Sequence, residues 1–225
     1  MNPMLKMAAM LALALPMLSP EANAATSNPM ESVGVEHNVY LACLTRPGTD
    51  PSVSALRRVV EECGFRPGMS TDDFEAKYAA FIAMDSTQSI VARMDPYRAS
   101  YSRYQFSFFE RVDQLFASVV TAKDADAGLA RLEQEAIGRL TSGSRADQSV
   151  LAMLSTARHS LAFWTSTTGV YGEATAKSAT RAKLKINWGR VLEVCAADLI
   201  AGGLGTLIGG PVLGGGLGAA ASASV

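Results

Sequence analysis

The last eighth of the chain constrains it most: from Leu199 to Val225 there are 27 residues and no charge. Nine of the 19 glycines fall between Gly202 and Gly218, so the composition breaks there rather than drifts. The spacing is regular too. Gly202, Thr206, Gly210, Gly214, Gly218 and Ser222 recur every four residues, with Ala201, Gly205 and Gly209 as a parallel row. On a helix each row is a groove poor in side chains, where a second backbone can approach closely, as small-xxx-small faces do between membrane helices. In water, glycine costs about 1 kcal/mol per residue in helix propensity. The segment therefore needs lipid or close packing partners to be ordered.

At about 1.5 Å per residue, one continuous helix of this length would cross a bilayer core of about 30 Å. Pro211 interrupts it. Proline cannot donate to the helical ladder and disfavours helix at the preceding Gly210. The break predicts a hairpin of two helices, Val191 to Gly209 and Val212 to Ala223. Just upstream, residues 177–190 carry Lys177, Arg181, Lys183, Lys185 and Arg190, with Trp188 at the edge and no acid between Glu173 and Glu193. A basic flank beside an aromatic ring is the makeup of an interfacial anchor on anionic lipid; the alternative is an ordinary solvated face. Two fates for residues 191–225 stay open. Gly202, Gly205, Gly209, Gly210, Gly214 and Gly218 form a membrane-inserting or self-associating face, or the hairpin packs on the chain's own body.

The other end supplies an address. Lys6 is a thin positive start, Met7 to Leu18 is apolar apart from Pro16, and Ser19 to Ala24 ends in Ala-Asn-Ala. Residues 1–24 are therefore expected to be a signal peptide cut after Ala24. The apolar run falls short of the roughly 20 residues needed to span a bilayer. The expected location is periplasmic or extracellular, with membrane association through the tail. Export of the body would leave the basic flank on the outer side, against the positive-inside rule, so a fully translocated protein fits better than an inner-membrane anchor. Such compartments permit disulfides. Cys43 and Cys63 would close a loop of about 20 residues, leaving Cys195 over as a buried thiol.

Residues 25–176 read as a helical bundle, making the chain all-α with a C-terminal Gly-rich hydrophobic helix or hairpin. Val35, Val39, Ala42 and Cys43 suit a short first helix around His37 and Leu41. Leu56, Val59, Val60 and Cys63 mark a second, opened by Pro51-Ser52 and stopped by Gly64. Ser70-Thr71-Asp72-Asp73 opens a third. Tyr97, Tyr101, Tyr104, Phe108, Val112, Leu115 and Val119 advance by threes and fours, predicting one long amphipathic helix opened by Pro96. Further helices are expected from Asp124 to Leu140 and, after Ser142-Gly143-Ser144, from Ser144 to about Trp164.

Nothing in this body assembles into an active site, and no enzyme, cofactor or metal is expected. The two histidines, His37 and His159, belong to no metal, nucleophile or phosphate-binding motif. A cysteine-protease-like trio of Cys43, His159 and Asn38 fails if Cys43 is disulfide-bonded. Glu36, His37 and His159 are too common a set to specify a metal. Net charge is −1, which gives no global attraction to nucleic acid.

Three short patterns complete the picture: Gly34, His37, Asn38 and Leu41; Ala157, Arg158, Ser160 and Trp164; then Trp188, Asp198 and the glycines. With these, the chain resembles small exported bacterial glycine-zipper proteins, some of which are self-assembling and antibacterial. The resemblance implies a secreted protein whose tail inserts into membranes or self-associates, in a toxin-like role, with lipid or further copies of the chain as partners. Pro211 departs from it by interrupting the zipper. The alternative is a periplasmic or extracellular interaction module with the hairpin folded against the body.

Overall fold

The computed structural model describes residues 27–166 and 188–225, whose regular secondary structure is helical, with no strand among them. The helices are α1 (Glu31–Leu44), α2 (Ala55–Glu61), α3 (Thr71–Ile82), α4 (Ile90–Met94), α5 (Arg103–Ser118), α6 (Ala122–Arg139), α7 (Arg145–Thr165), α8 (Trp188–Gly209) and α9 (Pro211–Ser222). The expected all-α bundle with a C-terminal apolar hairpin is what forms.

Six starts share one local device. Ser54, Ser70, Ser89, Ser102, Thr121 and Ser144 each place a side-chain oxygen where it accepts the backbone N–H three residues on, satisfying a donor that the first helical turn leaves free. The hairpin turn works differently. Gly210 adopts φ +95°, a left-handed conformation open to glycine, and Pro211 follows at the first position of α9, where its missing N–H costs nothing.

α7 and α8 lie side by side at the centre, α9 folds back antiparallel on α8, and α1 crosses both α7 and α9. α6 packs on α7, α2 and α3 pack on α9, α4 touches α8, and α5 packs on α4, α6 and α7. A single apolar cluster runs from Leu41 and Phe65 through Phe106, Phe109 and Leu151 to Leu199, Leu204 and Leu217. The hairpin therefore shares the core of the bundle. By length and composition α8 could cross a membrane, but most of it is buried inside the protein.

One helix differs from expectation, and the first shows an uneven face. The aromatic stripe is not one helix: Asp95–Ser100 is a 3₁₀ segment containing Pro96, Tyr101 is extended, and α5 begins only at Arg103. Ser102 and Gln105 form a reciprocal capping box that sets this start. The resulting phase buries Phe106, Phe108, Phe109 and Val112 and leaves Tyr104 outside. In α1, Val35 and Val39 are exposed at 47% and 61%, while Val33, Gly34, His37, Leu41 and Leu44 face inward. The inward face of that helix carries a glycine and a histidine beside its apolar residues.

Candidate functional site

The three short sequence patterns meet in the interior. Asp198, fully buried on α8, is met at its Oδ2 atom by side chains from three other helices, two of which donate to it. Ser160 of α7 donates at 2.5 Å and Ser222 of α9 at 3.0 Å. His37 of α1 puts Nε2 3.3 Å from the same oxygen, at ion-pair distance but outside hydrogen-bond geometry. Ser160 Oγ is also 3.2 Å from the buried Cys195 Sγ. Burial, then the nearby Asp198 charge, pushes that thiol far above its ordinary range, so it is an inert neutral group.

Hydrogen bonds orient the histidine. Asn38 Nδ2 donates to the His159 carbonyl at 2.9 Å, which leaves Asn38 Oδ1 facing His37 Nδ1 at 2.9 Å as an acceptor. His37 Nδ1 therefore carries a proton. Its Nε2 then faces the Asp198 carboxyl group across the contact between α1 and α8.

Glycines make the close approaches around this cluster. A Cβ on Gly218 would lie 3.0 Å from His37 Cδ2 and 3.3 Å from the Asp198 carbonyl oxygen. One on Gly34 would fall 2.8 Å from the Ser155 carbonyl, so α1 and α7 touch backbone to backbone beside the Asn38 link. Gly202 packs on Thr156, and Gly205 meets the Gly214 backbone, with its Cβ position 2.9 Å from Gly214 Cα. Gly209 packs on Leu213 and Gly210 lies under the Arg145 guanidinium. All six glycines singled out in the sequence therefore contact other parts of the same chain.

A row that repeats every four residues does not fix its own register, since a slide by one turn of about 5.4 Å sets glycine against glycine again. The Ser222 to Asp198 hydrogen bond joins the two hairpin helices in the observed alignment, while the buried Asp198 Oδ1 and His37 Nε2 have no hydrogen-bond partner.

The other expected residues fall as follows. Cys43 and Cys63 form a disulfide with a sequence separation of 20 and a Cα–Cα distance of 5.8 Å, so Cys43 is no free nucleophile. His159 pairs with Glu31 at 2.8 Å near the surface. Among the described residues no group of three His, Cys, Asp or Glu side chains is arranged to hold a metal ion. Trp188 donates its indole N–H to the Val119 carbonyl at 3.1 Å, and Arg190 pairs with Glu193 at 3.0 Å and reaches the Val225 carbonyl. Lys177, Arg181, Lys183 and Lys185 lie outside the described residues.

The cluster holds serine, histidine and aspartate but lacks the geometry of a nucleophilic triad. Ser160 donates to the carboxylate and not to the imidazole, and His37, Ser160 and Asp198 are all fully buried. No family model matches the chain, and no match to it was found among curated proteins or solved structures.

Proposed function

We propose that the chain is an exported helical interaction module that acts through binding rather than through a reaction. In this reading the Gly-rich hairpin is an internal element of its core. The observation that carries it is the occupancy of the glycine rows: the small-residue face that a second helix would need is already filled, Gly205 by Gly214 and Gly202 by Thr156. The Asp198 cluster then serves as the lock that holds the hairpin in one register.

One observation favours a second reading. α8 has the length and apolarity of a membrane span, so release of the hairpin from α1 and α7 would free a segment able to insert or self-associate in a toxin-like role. The two readings part in a simple experiment. Purified protein is mixed with vesicles holding a self-quenched dye, beside a variant that stops before residue 191. The first reading expects monomeric protein and no leakage above the truncated control. Leakage or oligomers that require residues 191–225 would replace it by the second.

A further inference from the structure

A cleft of about 350 Å³ opens beside the hairpin turn, between residues 65–69, α3 and residues 208–213. Its lining includes the buried side chains of Phe65, Tyr78 and Leu213. It also includes Met69, Ile208 and Val212, exposed at 37%, 48% and 56%. Only seven large apolar side chains are this exposed among the described residues, and three of them meet here. A volume in the range of small-molecule sites, with apolar and polar surface side by side, suits an amphiphilic ligand.

The charge at the cleft has one sign. Arg66 and Lys77 line it together with no acid, and neither makes an ion pair with the described residues. The Lys77 ammonium sits 5.3 Å from the centre of the Tyr78 ring, and the Arg66 guanidinium is anchored to the Phe65 carbonyl at 3.4 Å. A third cation, Arg145, covers Gly210 at the adjoining turn. By contrast, the cleft of Arg111, Arg131 and Glu135 and that of Glu31, Asp126, Arg158 and His159 carry both signs. Cations that stand over apolar walls without counterions of their own complement a ligand with an apolar body and an anionic end.

We propose that this cleft binds a single-chain anionic amphiphile of the fatty-acid class, its chain against Phe65, Tyr78, Ile208 and Leu213 and its anionic head at Arg66 and Lys77. The site exists only while the hairpin is packed, so it rests on the reading above. Binding touches only Gly209 of the glycine rows, which is exposed at the cleft, and leaves the buried glycines and the Asp198 cluster in place. It gives the module a ligand without membrane insertion.

Isothermal titration of the purified protein with dodecanoate tests this, with dodecyltrimethylammonium as a probe of equal chain and opposite charge, both below their micellar concentrations. Protease protection of α8 and α9 is read on the same sample. Dodecanoate should bind at least about tenfold tighter than the cationic probe, and Arg66→Gln with Lys77→Gln should weaken it about tenfold while protection is unchanged. Met69→Ser with Val212→Ser should weaken both probes. If the hairpin is protected and dodecanoate has no advantage, the site is wrong and the packed-hairpin reading stands. If the hairpin is unprotected, both fall. Binding to phosphatidylglycerol vesicles without binding to dodecanoate would overturn the site in favour of a membrane surface.

Discussion

Gly214 stands where α8 and α9 touch backbone to backbone, and alanine is the smallest test of that contact. A Cβ there would lie 2.6 Å from the Gly202 carbonyl oxygen and 3.2 Å from Val33 Cγ1, with the Thr206 hydroxyl closer still. The carbonyl belongs to helical backbone and cannot rotate away, so α9 must recede from α8 by about 0.5–1 Å. A gap of that size forfeits a quarter to a half of the dispersion energy between atoms in contact. Overpacking in a filled core costs roughly 1–3 kcal/mol, and a backbone neighbour puts this site near the upper end. Alanine returns about 1 kcal/mol of helix propensity. The expected net loss is about 2 kcal/mol for Gly214→Ala. Gly138 on α6 is the matched control, because a Cβ there meets nothing within 4 Å. Gly138→Ala should stabilise by about 0.5–1 kcal/mol. Urea unfolding followed by circular dichroism measures both, read as midpoint shifts at unchanged slope. If Gly214→Ala unfolds at or above the wild-type midpoint, the glycine row is not a tight intramolecular contact and the reasoning fails.

Replacing Cys43 and Cys63 together by alanine should lower stability by about 3 kcal/mol, as loosening a loop of this length does, with the helical content of the folded state retained; equal urea midpoints would refute it. Asp198→Ala strands His37, Ser160 and Ser222 around a buried void and should cost about 3–5 kcal/mol, whereas Asp198→Asn keeps an acceptor in place and should cost clearly less; the order of the two midpoints is the check. Burial pushes the Tyr101 hydroxyl from 10.0 up to about 12, against the lowering effect of its hydrogen bond to Ser149. Above the ordinary tyrosine range the unfolded chain loses this proton while the folded one keeps it. Stability should therefore fall as pH rises from about 10 to about 12, by on the order of 2–3 kcal/mol. Tyr101→Phe should flatten that alkaline limb, and an unchanged limb would mean that another group controls it.

Much of the fold was legible because its signals are local. Ser70 and Ser144 announce helix starts through their own side chains, and Gly210-Pro211 announces the hairpin turn. The α5 boundary was harder, since Tyr97 and Tyr101 extend the apolar spacing backwards while the Ser102–Gln105 box stops the helix. The inward face of α1 was not legible for a different reason. Its inward side is defined by what it meets, Gly34 against Ser155 and His37 against Asp198, and a contact across more than 100 residues leaves no local trace. The same holds for the polar cluster. His37, Asn38, Ser160 and Asp198 each stood out in the sequence, yet only the packing of α1, α7, α8 and α9 brings them to one carboxylate oxygen. The glycine period signalled close helix approach but could not name the partner, because lipid-embedded copies and a folded-back helix demand the same small residues.

That choice of partner is the central claim, and amide hydrogen exchange of the monomeric protein in lipid-free buffer tests it most directly. With the hairpin as part of the core, amides of α8 and α9 should exchange as slowly as those of α7, at the rate of global unfolding. Exchange of α8 and α9 at the rate of an unfolded chain while α7 stays protected, or protection that arises only with vesicles or oligomers, would contradict the account.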